Sequence, residues 1–254
     1  MSEFLRFETI ERVARITIER PPLNVLTTAM MRAMASLIDR AGALPTVRVL
    51  RVDAVGKAFS AGVDVADHVG DALAPMLESL EQLFAAFERL AIPSVSVVHA
   101  AALGGGCELA LATDLCLASE RASFGQPEIR LGVFAPPASV LLPRMVGERR
   151  ALGLLLGGET ISATEAGAMG IANRTFPDAT FAADADAWIA RLAASSGAAL
   201  RLAKRAVTAT RGLAVLEAHR QAMKIYSEEL MQTEDAAEGL RAFMEKRPAH
   251  WNDR

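Results

Sequence analysis

The sequence predicts an α/β fold, and three observations carry that prediction. Short β-prone apolar runs alternate with stretches of helical periodicity through the first half of the chain. Hydrophobic residues make up 52% against 22% charged, a balance that folds rather than stays disordered. A length of 254 residues suits one large domain, or one with a small appendage, and such a chain needs no disulfide or metal staple.

The elements follow in order. Residues 13–19 alternate, with Ala14, Ile16 and Ile18 on one face and Arg15, Thr17 and Glu19 on the other, the period of a strand with one wet face. Arg20-Pro21-Pro22 ends it, because neither proline can donate to a ladder. Over 28–42, Met30, Met31, Met34, Leu37 and Ile38 recur at three- and four-residue spacing, a helix whose methionines fill core. Strands are expected at 47–52, 94–99 and 114–118, with an amphipathic helix at 76–90 closed by Ile92-Pro93. Such alternation makes βαβ units, whose ligands gather at the C-terminal ends of the strands. Beyond Glu128 helices dominate, at 148–157, 162–170, 184–195, 198–211 and 213–231. A last helix to Lys246 is expected to open on a capping box of Asp235 with Glu238.

Composition excludes several roles. A net charge of −3 and a pI near 5.9 weigh against a nucleic-acid surface. Cys107 and Cys116 have no pairing or metal-ligand spacing, and buried reduced thiols are expected, with no metal site. The first residues are charged from Glu3 onward and lack the apolar core of a signal peptide. No apolar run approaches the roughly 18 residues of a membrane span. The expectation is a cytoplasmic protein with neither membrane nor nucleic acid as partner.

The chemistry concentrates in two segments. Leu103-Gly104-Gly105-Gly106-Cys107-Glu108-Leu109 sets three glycines where a strand hands over to a helix, with a carboxylate one turn inside. Glycines let a ligand approach the backbone, and the unpaired N–H groups of a helix start suit a developing negative charge. Alone, the triplet reads more readily as tight helix–sheet packing, while Glu108 is the more suggestive residue, with a cap interacting with the helix dipole as its structural alternative. Phe124-Gly125-Gln126-Pro127-Glu128 brings a second carboxylate just after a proline-fixed turn. Lys57-Ala58-Phe59-Ser60-Ala61-Gly62-Val63-Asp64 ends a strand in small residues, with Asp64 able to brace the turn. His99 reads as a half-buried structural histidine, Asp114 as a strand brace, and Lys204, Arg205 and Arg211 as a solvated helix face. An anion cradle with two carboxylates is an apparatus for making and quenching an enolate.

Together these segments resemble the crotonase, or enoyl-CoA hydratase/isomerase, superfamily. The ordered set KAFSAGVD, LGGGCEL and FGQPEI carries the resemblance, joined by RPPLNVL near the start, ISATEAGAMGIAN in the middle and FMEKR near the end. The resemblance implies a spiral of ββα units over 1–190 that binds acyl-CoA, and a helical C-terminal oligomerisation region over 191–254. It implies a thioester carbonyl held between the N–H groups of Ala61 and Gly105, where donors aimed at an enolate oxygen are worth roughly 10²–10³ in rate each. Glu108 would accept a proton from water and Glu128 would deliver one to Cα, with Gln126 orienting a carboxylate or the water. The CoA arm would run along Lys57, Ala58, Ala61 and Asp64, with Phe243 and Lys246 contributing from the tail motif, often across a subunit boundary. No cofactor beyond the CoA of the substrate is implied, and the expected assembly is a homotrimer or homohexamer.

One stretch departs from the straight-chain hydratases, which show a glycine-rich run ending in Thr-Gln-Arg. Here the chain reads Gly132-Val133-Phe134-Ala135-Pro136-Pro137-Ala138-Ser139, a stiffer wall. With SAGVDVADH at 60–68, it resembles hydratases acting on cyclohexa-1,5-diene-1-carbonyl-CoA. A general short-chain hydratase or a one-glutamate isomerase is the alternative. RNA binding, known for some proteins of this fold, is disfavoured by the acidic charge, and a silent acyl-CoA-binding homologue by the presence of both glutamates.

Overall fold

The computed structural model describes residues 2–254. β1 (Leu5–Ile10) and β2 (Val13–Ile18) form an antiparallel hairpin, and α1 (Thr28–Ala43) follows with Thr27 as its N-cap. Three ββα passes come next. β3 (Val49–Ala54) and β4 (Ala58–Ser60) lead to α2 (Leu73–Arg89). β5 (Ser94–Val98) and β6 (Ala101–Leu103) lead to α3 (Gly105–Ala112). β7 (Leu115–Ser119) and β8 (Ser123–Gly125) lead through a 3₁₀ turn (Pro127–Leu131) to α4 (Pro136–Val146) and α5 (Glu148–Gly157). β9 (Thr160–Ser162), α6 (Ala163–Met169) and β10 (Arg174–Phe176) complete the sheets. Four helices end the chain: α7 (Phe181–Ala193), α8 (Gly197–Thr208), α9 (Val215–Glu228) and α10 (Glu234–Met244).

Each pass lays one strand in each of two sheets. The larger has the order β1-β2-β3-β5-β7-β10, parallel after the first hairpin, and the smaller has β4-β6-β8-β9, parallel except at β9. The large sheet is covered on both faces, which explains why its central strands read as continuous apolar runs. Leu50, Val52, Val98, Cys116 and Ala118 face the main core, which the methionines of α1 and Leu83 and Phe87 of α2 fill. Val49, Val95, Val97 and Leu117 face a second core closed by Phe181, Ala185 and Ile189 of α7. The 190/191 boundary expected from the resemblance falls inside α7, whose apolar face belongs to the sheet.

The C-terminal helices are fastened by buried polar contacts. Arg48, 2% exposed, donates to Asp253 at 2.9 Å and to the carbonyls of Ala193 and Ser195 at 3.0 and 2.8 Å. Asp235 accepts from the Ser196 hydroxyl at 2.5 Å and from the N–H groups of Asn252 and Asp253. That role displaces the expected capping box: Thr233 caps α10, and Glu238 pairs with Arg247 at 2.6 Å. The chain's capping box lies instead at Ser162 and Glu165. Asp114 braces its strand as expected, accepting from the N–H and hydroxyl of Ser94, both at 2.8 Å. Lys204 is not a solvated residue; its Nζ lies 2.7 Å from Asp114 and 3.1 Å from the Ile92 carbonyl. Arg205 pairs with Glu229, and Arg211 with Glu88 at 2.9 Å, so this face ties helices together.

Candidate active site

Gly104 turns the chain from β6 into α3 with φ 53° and ψ −128°, a conformation that side chains rarely tolerate. Close approach requires glycine there as well, since a Cβ would stand 2.7 Å from Glu128 Oε1. A Cβ on Gly106 would meet the Ser60 carbonyl oxygen at 2.3 Å. The triplet is therefore a saddle: the 60–63 loop lies on one side and the second carboxylate rests on the other. The tight packing, one of the two readings of the triplet, is thus present.

The backbone donors differ from the expected pair. The Ala61 N–H is committed to the Leu23 carbonyl at 2.9 Å and is not available to a ligand. Leu26 and Val63 form a parallel bridge in which the Leu26 N–H bonds the Gly62 carbonyl and the Asp64 N–H bonds the Leu26 carbonyl. That pattern turns the Val63 N–H to the opposite side, where it has no acceptor among the described residues. The Gly105 N–H, first of α3, is likewise unpaired. The two groups are neighbours, for a Cβ on Gly105 would lie 3.2 Å from the Val63 nitrogen. The donor beside Gly105 is thus two residues further along than the motif reading placed it.

Glu108 sits one turn into α3, 3% exposed, with Oε1 accepting from the Ala138 N–H of α4 at 3.0 Å. Burial pushes its carboxyl up to about 8, opposed by the Ala138 N–H and reinforced by the charge of Glu128. Burial also raises Glu128, opposed first by a backbone N–H and then by His68. Of the two carboxyls, Glu108 is the more deeply buried, so burial disfavours its charged form the more strongly. The resemblance assigns the resting proton to Glu128; the burial order in the unliganded chain is the reverse. Gln126, 1% exposed, lies against Glu128, and with its amide nitrogen turned to the carboxylate it donates at 3.2 and 3.1 Å to the two oxygens.

His68 was not singled out as a site residue in the sequence. It ends the 3₁₀ turn Val65–His68, and its Nδ1 lies 2.9 Å from the Asp64 carbonyl. A carbonyl only accepts, so Nδ1 carries hydrogen and a neutral ring has its lone pair on Nε2. The only sequence signal was a histidine four residues after Asp64. Ala138 gave none, because its role is a backbone N–H.

The residues expected along the CoA arm divide. Ala58 is buried in β4 with its carbonyl accepting from Asn24 Nδ2 at 2.8 Å, so its backbone is not open to a nucleotide. Asp64 braces the loop, its Oδ1 accepting from the Ala66 N–H at 3.2 Å, rather than standing free as a ligand. Lys57 is exposed beside these residues. Phe243, 84% exposed, and Lys246 lie at the end of α10, which packs on α8 and the turn Leu230–Gln232. Cys107 and Cys116 are buried and unpaired, as expected, and burial raises both thiols, Cys116 to about 11. Among the described residues no helix is long and apolar enough to cross a membrane.

The family model described as enoyl-CoA hydratase/isomerase matches residues 8–254. Cyclohexa-1,5-dienecarbonyl-CoA hydratase of Thauera aromatica is 40% identical over 242 residues, covering 94% of this chain and 93% of the relative. A probable enoyl-CoA hydratase of Rhizobium meliloti is 36% identical over 259 residues, covering 99% of each. Among solved structures, an enoyl-CoA hydratase from Bacillus anthracis superposes with a TM-score of 0.94 at 27% identity, covering 99% of this chain and 100% of that one. An enoyl-CoA hydratase of Mycobacterium smegmatis gives 0.92 at 28% identity, covering 98% and 99%. With these matches along nearly its whole length, and two paired sheets wound as ββα passes, the chain has the crotonase fold and belongs to the enoyl-CoA hydratase/isomerase family.

Proposed function

We propose that this enzyme adds water across the double bond of an unsaturated acyl-CoA, and that its substrate is the cyclic cyclohexa-1,5-diene-1-carbonyl-CoA. The observation that carries the hydratase reading is the convergence of two carboxyls on one glycine saddle, half-buried Glu128 resting on Gly104 and buried Glu108 one turn beyond it. In this reading the thioester oxygen lies between the Val63 and Gly105 N–H groups. One carboxylate takes a proton from water as the oxygen bonds to a ring carbon of the unsaturated system. The electron pair moves to the thioester oxygen as an enolate, and the other carboxyl returns a proton to carbon. The net addition is one water, with no electron gained or lost, so no cofactor beyond the CoA is required. Backbone donors fixed before the reaction need no reorganisation as the enolate charge develops.

The ring reading rests on the stiff wall at 132–139 and on the 40% identity to the Thauera aromatica hydratase. Relatives named only as enoyl-CoA hydratases support the general alternative. Rates on crotonyl-CoA and on cyclohexa-1,5-diene-1-carbonyl-CoA separate the two. A preference for the diene, lost in both Glu108→Gln and Glu128→Gln, is expected; a preference for crotonyl-CoA overturns the ring reading, and turnover of neither overturns the hydratase.

The same reading places the CoA arm along Lys57 and the Ala61–Val63 backbone. It further proposes a cytoplasmic homotrimer or homohexamer in which Phe243 and Lys246 serve a neighbouring subunit. Exposed Phe243, Met244, Leu240 and Tyr226 on the C-terminal helices supply the apolar surface for such contacts.

A further inference from the structure

α4 opens on two consecutive prolines, at its first and second positions. A helix start leaves its first N–H groups without intrahelical partners, all pointing along the axis. Pro136 and Pro137 have no N–H, and the Ser139 N–H bonds back to the Ala135 carbonyl at 3.0 Å. Within the first turn, positions 136 to 138, the Ala138 N–H is therefore the one donor, and it is spent on Glu108 Oε1 at 3.0 Å.

We propose that Pro136 and Pro137 are positioning residues for Glu108: they leave Ala138 the one donor in the first turn of α4, so the buried carboxyl is fixed by one oxygen and keeps the other, with its proton, for the reaction. The final clause rests on the hydratase reading; the positioning is a property of the free chain. Each N–H aimed at a carboxylate favours its charged form, and two or three together can drive it far below its ordinary range. A helix end with its full set of donors would do that to Glu108. With one donor the effect of burial prevails, and the carboxyl stays near 8.

Nothing else nearby offsets burial. The charged group that faces Glu108 is Glu128 of the 3₁₀ turn, which favours the protonated form. Its own helix adds only the thiol of Cys107, and α4 presents the uncharged run Pro136 to Ser139. His68 acts on Glu128.

Pro136→Ala and Pro137→Ala each restore one N–H to the helix start without adding charge. Pro143→Ala is the control, because it restores an N–H inside the same helix, where the Ser139 carbonyl of the preceding turn is the partner. Circular dichroism establishes that each variant is folded. The titration of the Glu108 carboxyl is then followed by ¹³C NMR in the unliganded chain, with Glu108→Gln giving the assignment. The expected result is a fall of about one pH unit or more in the first two variants and none in the control. An unmoved titration in both, or an equal shift in Pro143→Ala, overturns the proposal. Turnover is measured separately: a shifted titration without hydration of any enoyl-CoA leaves the positioning intact and removes the hydratase reading.

Discussion

Glu108→Gln removes a buried ionisable group while keeping the side chain's shape, and its effect on stability depends on pH in a direction the burial of Glu108 sets. The carboxyl is raised from 4.5 to about 8, chiefly by burial. At roughly 1.4 kcal/mol per pH unit, ionising it inside the fold costs about 5 kcal/mol more than in the unfolded chain, an upper bound because it is coupled to Glu128. Between pH 4.5 and 8 the folded chain therefore holds this proton more tightly than the unfolded chain. Stability falls as the pH rises through that window, and the loss is complete above it. Glutamine does not ionise, and its carbonyl oxygen still accepts the Ala138 N–H. At pH 5 the variant and the parent are expected to melt within a few degrees of each other. At pH 9 the variant melts higher, by on the order of 10 °C, at about 2–4 °C per kcal/mol for a chain approaching this size. Other carboxyls titrate in both proteins and cancel in the comparison. A gap that does not widen between pH 5 and 9, or a variant less stable at pH 9, would refute the reasoning that burial dominates at Glu108.

Two further outcomes are expected. Gly104→Ala places a Cβ 2.7 Å from Glu128 Oε1 at a φ of 53°; hydration should fall by on the order of a hundredfold, with a stability loss of about 1–2 kcal/mol, and activity within tenfold of the parent would contradict the saddle. Arg48→Ala takes the buried cation from Asp253, leaving it Arg12 and the Gly197 N–H, and frees the carbonyls of Ala193 and Ser195; urea unfolding should register about 3 kcal/mol and limited proteolysis should cut the released tail, whereas an unchanged midpoint would show that Arg48 does not fasten it.

The larger elements were legible because their apolar patterns are local. Residues 28–42 and 148–157 read as helices nearly at their observed bounds, and the central strands were found as apolar runs. The three-residue strands of the smaller sheet were not, since AFS, AAL and SFG carry no period and exist only by pairing with one another. β1 was missed because LRFETI is half exposed along much of its length, and α4 because its prolines read as a rigid loop. Asp235 looked like half of a capping box, but its partners come from residues 196, 252 and 253, far outside any local window.

The sequence by itself determined the α/β class, the family resemblance and the two carboxylates, because each is written in local spacing and residue type. Tertiary structure alone decided which backbone N–H groups are free and how deeply each carboxyl is buried. The Ala61 N–H is consumed by Leu23, some forty residues upstream, while that of Val63 is left open by a bridge to Leu26. Glu108 draws its one donor from a helix thirty residues downstream, and Glu128 rests against Gly104. Motifs specify side chains, but the hydrogen bonds and burial that govern backbone donors and buried protons depend on segments that meet only when the chain folds.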